Sequence, residues 1–139
     1  MSTIVIDTNV IVGAIYWPRS MARRCLAGLA RRQYTIAVTP EVFEEYETIV
    51  AGFQPRFPGC NSAGALAWLR LKVSWVEPAP LGKQRSRDVK DDLFLCCALA
   101  ARAKYLLTRD DDLLVLGKPF GVETITPARF LILLRGMGV

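Results

Sequence analysis

Short apolar runs alternate along this chain with longer segments of helical periodicity, and this alternation limits the folds open to it. The first run, Thr3–Ile6, is β-branched throughout, as expected of a strand buried on both faces. Four similar runs follow at 34–38, 73–76, 105–107 and 122–125. Strands separated by helices predict a mainly parallel sheet with helices on both faces. We therefore predict an α/β protein with about five strands.

The segments between these runs carry helix start signals. Ser20 and Thr39 are suitable N-caps, and Thr39 is followed by proline at the first helical position. The predicted helices cover 10–15, 20–32, 40–50, 62–72, 91–104 and 127–135. The segments 52–61 and 77–88 contain several Pro and Gly residues and are predicted loops, the second of them basic. The sequence shows no repeat or linker, so we predict one domain, 1–139.

The absence of histidine excludes several classes of catalytic site. Ser-His-Asp triads, Cys-His proteases, histidine-based nucleases and His-ligated zinc all need that side chain. The four cysteines lack metal-site spacing and are predicted to be reduced thiols. There is no signal-peptide pattern and no apolar run near the roughly 18 residues of a membrane span, so we expect a cytoplasmic protein. The net charge of +5 favours a polyanionic partner.

The acidic residues fall mainly in four groups, each close to the end of a predicted strand or the start of a helix. Asp7 follows the first strand, and Glu41–Glu47 belongs to the helix after the second. Asp88–Asp92 opens the helix after the basic loop, and Asp110–Asp112 follows the fourth strand. Ligands of open parallel sheets bind beyond the carboxyl ends of the strands. All four groups can therefore meet at one edge of the sheet.

Helical geometry selects one glutamate from the second group. At about 100° per residue, Glu45 and Glu47 flank the apolar stripe on either side of Tyr46, whereas Glu41 and Glu44 point away from it. Glu45 lies nearer the strand end, so we predict that Glu45 faces the site. The predicted buried stripe consists of the apolar residues Val42, Phe43, Tyr46, Ile49 and Val50.

Each acidic group also has an ordinary structural explanation. Asp7 and Asp91 could be helix caps, and Asp88 with Asp91 resembles a capping box. The glutamates could form a solvated face, and Asp110–Asp112 could be a turn. The coincidence of all four groups favours a shared role instead.

Converging carboxylates need neutralisation. Two of them about 4 Å apart repel by roughly 4 kcal/mol at an effective dielectric constant of about 20, which is a large part of a domain's stability. Mg²⁺ or Mn²⁺ suits a cluster that offers oxygen ligands without His or Cys. Such ions activate water for attack on a phosphodiester. A basic chain with an acidic metal pocket therefore predicts a phosphodiesterase acting on nucleic acid.

Four segments resemble the PIN-domain ribonucleases: "IVIDTNVIVGA", "TPEVFEEYETIV", "DVKDDLFLCCALAARAKYLLTRDDDLL" and "VETITPARFLILL". The resemblance covers nearly the whole chain in the same order and is closest to the bacterial branch of toxins from toxin–antitoxin pairs. It implies a three-layer α/β/α sandwich and a single-strand ribonuclease that uses one or two Mg²⁺ or Mn²⁺ ions. It also implies a homodimer and a small antitoxin protein that blocks the site.

The resemblance assigns roles to individual residues. The four catalytic, metal-ligating acids correspond to Asp7, Glu45, Asp91 and Asp110. Asp112 matches an auxiliary acid, and Asn9 and Thr108 match polar positions around the pocket. Val89 stands where proline is frequent and Arg109 where glycine is common, so the fourth ligand stays open between Asp110 and Asp112. We expect Asp111 to face solvent. Four basic residues are predicted to guide the RNA backbone: Arg85, Arg87, Lys90 and Arg109.

Two other functions are alternatives to a nuclease. A receiver-type phosphotransfer protein would need paired acids after the first strand and a lone Asp after the third, whereas only Asp7 follows the first strand and Glu77-Pro78 follows the third. A PIN-like module that binds RNA or a partner with weak catalysis is the remaining alternative. The presence of all four acids argues for activity.

Overall fold

The computed structural model describes residues 2–32 and 34–136. Within these residues five strands form one sheet: β1 Thr3–Ile6, β2 Thr35–Val38, β3 Ser74–Trp75, β4 Tyr105–Leu107 and β5 Glu123–Ile125. Their order is β3-β2-β1-β4-β5, and all neighbours are parallel. The predicted parallel sheet is therefore confirmed. The outermost positions of the predicted domain, Met1 and 137–139, lie outside the described residues.

β1 lies at the centre of the sheet. Ile4 is in register with Ile36 on one side and with Tyr105 on the other, and Ile4, Val5 and Ile6 are fully buried. β3 has a partner on one side only, and its two residues are exposed. This edge position explains why β3 is shorter than the predicted run at 73–76.

Seven α-helices connect the strands of the described chain: α1 Thr8–Tyr16, α2 Met21–Arg32, α3 Pro40–Phe53, α4 Ser62–Lys72, α5 Asp92–Ala101, α6 Asp111–Leu114 and α7 Pro127–Gly136. α3 extends three residues beyond the predicted end, so the predicted loop begins later and includes a 3-10 turn, Gln54–Arg56. The predicted helix 91–104 is shorter, because its first residue belongs to a 3-10 turn, Val89–Asp91, and Arg102 ends α5 in the left-handed conformation. α6 was not predicted.

The helices form two layers around the sheet. α1 packs against α2, α3 and α4, and α2 packs against α7, whereas α5 lies on β1, β2 and β4. The chain moves from β1 through β2 to β3 in one direction across the sheet and crosses back to reach β4. Right-handed crossovers therefore place α5 on the opposite face from α1 and α2. The predicted three-layer α/β/α sandwich is confirmed.

The predicted buried stripe of α3 is correct except at one position. Val42, Phe43, Tyr46 and Val50 are buried, but Ile49 is 38% exposed. Ile49 lies about 60° from Tyr46 on the flank that also carries Glu45. That flank is less covered than the opposite one, where Phe43 is buried.

The cysteines are free thiols, as predicted: Cys25 and Cys97 are buried, and Cys60 and Cys96 are half-buried. Among the described helices, none combines the length and apolar character needed to cross a lipid bilayer.

Candidate metal centre

Asp7 is the first residue after β1. Its backbone amide donates to the carbonyl oxygen of Leu107 at 2.9 Å, which continues the ladder between β1 and β4 and places Asp7 beside the end of β4. Asp7 occupies the N-cap position of α1, but its side chain makes no capping hydrogen bond within the described chain. Its Oδ2 instead accepts a hydrogen bond from Thr108 Oγ1 at 2.6 Å. The buried carboxylate is thus oriented toward β4, unlike that of a helix cap.

Thr108 links the two central strand ends. It is fully buried, donates to Asp7 and accepts a hydrogen bond from the backbone amide of Asp110 at 2.9 Å. Asp110 in turn caps α6, since its Oδ1 accepts from the amide of Asp112 at 2.9 Å. Positive φ angles among the described non-glycine residues belong to Arg102 and Phe120. The turn at Arg109 therefore needs no glycine.

Three carboxylates come together at the start of α5 and α6. Asp91, Asp110 and Asp112 each offer an oxygen, and these oxygens lie within 4.8 Å of one another. Asp91 is 8% exposed, whereas Asp110 and Asp112 are half-buried and Asp111 is exposed, as predicted. Of the three consecutive aspartates, Asp110 and Asp112 therefore lie close to Asp91, whereas Asp111 faces solvent.

Glu45 lies on α3, outside the group of three clustered carboxylates, and its charge acts on Asp7. It is half-buried and accepts a hydrogen bond from the hydroxyl of Thr8. The next residue, Tyr46, is fully buried, and its hydroxyl donates to the carbonyl oxygen of Ile6. This bond ties α3 to the end of β1, beside Asp7. Glu41, Glu44 and Glu47 are exposed, so Glu45 is the most buried glutamate of α3.

The charges of the centre act on one another. Burial is the main cause that raises the pKa of Asp7 to about 6; the hydrogen bond from Thr108 opposes this rise, and the charges of Asp110 and Glu45 add to it. Burial also raises the pKa of Asp91 to about 7, together with hydrogen bonding to Asp110 and repulsion from Asp110, Asp7 and Asp88. Burial and mutual repulsion thus both disfavour the ionised form of these carboxyl groups. A divalent cation with oxygen ligands fits this donor set.

Asp92, which the sequence reasoning did not single out, holds the loop that faces the centre. It is buried, and its two carboxylate oxygens accept hydrogen bonds from the backbone amides of Arg85 at 2.9 Å and Ser86 at 2.8 Å. Ser86 is also buried, and its hydroxyl donates to Asp91 Oδ2 at 3.5 Å. The paired aspartates at the start of α5 were a visible signal, but the sequence does not show which of them faces the loop.

Asp92→Asn is expected to destabilise the protein by about 2 kcal/mol, because an amide can accept only through one oxygen and hydrogen bonds to charged groups contribute about 1.5–3 kcal/mol. Urea unfolding measures this change. The matched control is Asp88→Asn, since Asp88 is exposed and accepts one amide, that of Lys90 at 3.0 Å. Equal losses in both variants would contradict the anchoring role of Asp92.

The predicted RNA-guiding residues occupy different places. Arg87 Nη2 contacts Asp112 Oδ1 at 2.7 Å and so lies on the acidic cluster. Lys90 is exposed on the 3-10 turn before α5. Arg109 is exposed and acts electrostatically on Cys25 of α2, where its charge partly offsets the burial that raises the thiol pKa. Asn9 is exposed in the first turn of α1. Among these residues, Arg87 makes a direct contact with a carboxylate of the centre.

Comparison with known protein families matches residues 3–112 to the PIN domain. The matched range contains Asp7, Glu45, Asp91, Asp110 and Asp112. PIN domains are generally nucleases that bind divalent metals, which agrees with the acidic cluster described above. A comparison with curated proteins gives no match. Because the match covers most of its length, the chain belongs to the PIN-domain family.

Proposed function

We propose that this protein is an Mg²⁺- or Mn²⁺-dependent endoribonuclease that cleaves single-stranded RNA and acts as one nuclease domain. The observation that carries the proposal is the cluster of Asp91, Asp110 and Asp112, whose carboxylate oxygens lie within 4.8 Å of one another, with Asp7 acting electrostatically on Asp91. A structural cluster would not be expected to retain this repulsion without a cation to relieve it. The family supports nuclease chemistry, and the net charge of +5 suits a polyanionic substrate.

In this proposal Asp7, Glu45, Asp91 and Asp110 hold one or two ions, and Asp112 is the auxiliary acid. When bound, the ion supplies a Lewis acid that activates water and stabilises charge on the phosphodiester. The protein supplies the orientation of the ligands. Thr108 fixes one oxygen of Asp7, and Thr8 fixes one oxygen of Glu45. Asp110 remains the proposed direct ligand because its charge reaches both Asp7 and Asp91.

The cations around the centre are proposed to bind the RNA backbone. Arg85 and Arg87 lie on the loop anchored by Asp92, and Lys90 and Arg109 directly precede Asp91 and Asp110 in the sequence. Arg87 already bridges to Asp112, so it can exchange that contact for a substrate phosphate once a metal ion neutralises the aspartate. Asn9 is proposed as a polar neighbour of the site. Binding through these cations should weaken with rising salt.

The proposed function is tested by incubating the protein with end-labelled single-stranded RNA in EDTA, Mg²⁺ or Mn²⁺. We expect internal cleavage with either metal and none in EDTA. RNA that is bound but stays intact with both metals would favour the alternative, a PIN-like binding module without catalysis. Cleavage that persists in EDTA would exclude the metal-dependent mechanism.

The biological setting is also proposed: a cytoplasmic homodimer that serves as the toxin of a toxin–antitoxin pair. Support comes from the motifs shared with that bacterial branch of the family. Induced expression should arrest growth, and co-expression of a small protein encoded next to it should restore growth. Light scattering after size-exclusion chromatography tests the dimer. Normal growth on induction of an active nuclease would contradict the toxin role.

A further inference from the structure

A cavity is lined partly by the loop that contacts the metal centre. Its volume is about 390 Å³, within the range of about 300–1,000 Å³ that is usual for small-molecule sites. It is lined by Lys83, Gln84, Arg85, Leu116, Pro119 and Phe120. The two residues that follow Arg85 contact the acidic cluster, Ser86 through Asp91 and Arg87 through Asp112. The cavity and the metal centre therefore share the loop anchored by Asp92.

Phe120 presents its ring to this cavity at a conformational cost. It is 44% exposed and has φ 55° and ψ 26°, a left-handed conformation that is unfavourable for a residue with a side chain. The surrounding turn enforces it, since Gly121 has φ 80° and Val122 donates to Pro119 O at 2.9 Å. An exposed ring in this conformation gains little from core packing, which points to a use for the ring at the surface.

Arg85 is positioned over the same ring. Its guanidinium carbon lies 5.1 Å from the ring centroid, and its Nη2 donates to Leu81 O at 3.1 Å. Its backbone amide is fixed by Asp92. Gln84 is also held, because its Nε2 donates to Ser86 O at 2.7 Å. The Phe120 ring and the Arg85 guanidinium are thus held in place by contacts within the protein.

We propose that this cavity is a nucleobase subsite for a nucleotide that flanks the cleaved bond in a single-stranded substrate, an inference that rests on the proposed nuclease function. A base stacks on Phe120, and Arg85 and Lys83 bind the adjoining phosphates. Aromatic stacking next to cations is how proteins hold unpaired strands with little regard to sequence. The shared loop then places the bound nucleotide at a fixed distance from Asp91 and Asp112.

The chain offers a matched control for Phe120. Trp75 is 43% exposed, and the guanidinium carbon of Arg70 lies 5.0 Å from its ring centroid. The chemistry is nearly the same, but Trp75 lies on β3 at one edge of the sheet, whereas Phe120 precedes β5 at the other edge. A Trp75 substitution therefore removes an equivalent ring–arginine pair from a different surface.

The test measures the Kd of fluorescein-labelled single-stranded RNA and DNA by fluorescence anisotropy, in EDTA so that neither strand is cut. Phe120→Leu is expected to weaken binding of both strands about tenfold, because stacking uses the base and not the sugar. Phe120→Tyr, which keeps an aromatic ring, and Trp75→Leu should both have the Kd of the wild type. Thermal unfolding of each variant checks that the fold is retained.

Oligonucleotides that lack one base, scanned along the strand, separate stacking from a structural effect. Removal of the stacked base should weaken binding to the wild type and have no further effect on Phe120→Leu. Equal Kd values for wild type and Phe120→Leu, or an equal loss of affinity in Trp75→Leu, would overturn the subsite. RNA cleavage by the wild type would in that case still support the nuclease proposal. If binding depends on Phe120 but the protein cuts no RNA with Mn²⁺, the subsite stands and the nuclease proposal fails.

Discussion

Replacing Asp91 by asparagine is expected to lower the rate of metal-dependent RNA cleavage by roughly a hundredfold or more. A bound metal ion contributes several kcal/mol of transition-state stabilisation, and each 1.4 kcal/mol or so corresponds to a factor of ten in rate. Asp91 carries the most strongly raised carboxyl pKa of the centre and is within 4.8 Å of two other proposed ligands. Single-turnover cleavage of end-labelled RNA in Mn²⁺ gives the rate.

Two matched substitutions make this result specific. Asp111→Asn removes the same charge from an exposed residue between Asp110 and Asp112, and the rate should stay close to that of the wild type. On α3, Glu45→Gln should reduce the rate, whereas Glu47→Gln, at an exposed position on the same helix, should not. Equal rates for Asp91→Asn and Asp111→Asn would show that the acidic cluster is not the catalytic centre.

The metal-free protein is expected to lose stability as the pH rises from about 5 to 7. Unfolded Asp7 and Asp91 ionise near their ordinary pKa of 3.8, whereas the folded protein holds these protons up to a pKa of about 6 and about 7. The folded state therefore binds more protons in this range, and the free energy of unfolding falls as protons are lost. The stabilisation is complete below the unfolded pKa and is lost as the pH passes the folded values.

The lack of histidine makes the pH dependence of stability straightforward to interpret. With no histidine in the chain, the side chains that ordinarily titrate near neutral pH are absent. A slope of Tm against pH in EDTA would therefore report the buried carboxylates, and Asp7→Asn should flatten it. Asp111→Asn should keep the wild-type slope.

Adding millimolar Mn²⁺ should reverse the trend, since a cation binds the ionised centre and stabilises the folded state. An ion at a hundred times its Kd stabilises by about 2.7 kcal/mol. The rise in Tm that Mn²⁺ produces should be larger at pH 7 than at pH 5. If Tm neither changes with pH in EDTA nor responds to Mn²⁺, the proposed metal centre is wrong.

The parts of the site that the sequence could predict are those that follow from periodicity. Asp7 could be placed because it follows a β-branched run. Helical angles separated Glu45 and Glu47 from Glu41 and Glu44, and Glu45 was preferred to Glu47 because it lies nearer the strand end. Both predictions depend on spacing along a regular element. Ile49 shows the limit, since the apolar pattern of α3 does not reveal which flank a neighbouring helix leaves uncovered.

Loop geometry could not be predicted in the same way. Asp92 was visible beside Asp91, but its two amide partners depend on the path of the basic loop, which has no periodic pattern. Phe120 is similar, because its positive φ follows from the turn around Gly121 and is not favoured by phenylalanine itself. Long-range contacts decide the path of the basic loop, and an irregular local turn decides the conformation of Phe120; neither follows a periodic pattern that a single sequence reveals.

The strand order has a consequence for when activity can appear during synthesis. β1 pairs with β4, so Ile4 must meet Tyr105 before Asp7 acquires its hydrogen bond from Thr108. A ribosome exposes Asp7 and Glu45 long before Asp91 and Asp110, and domains fold as units once their sequence has emerged. A nascent chain that ends before β4 lacks Thr108, Asp110 and Asp112, so it cannot form the acidic cluster. With the proposed ribonuclease activity, the chain could therefore not cut the messenger being translated until the central pairing is complete.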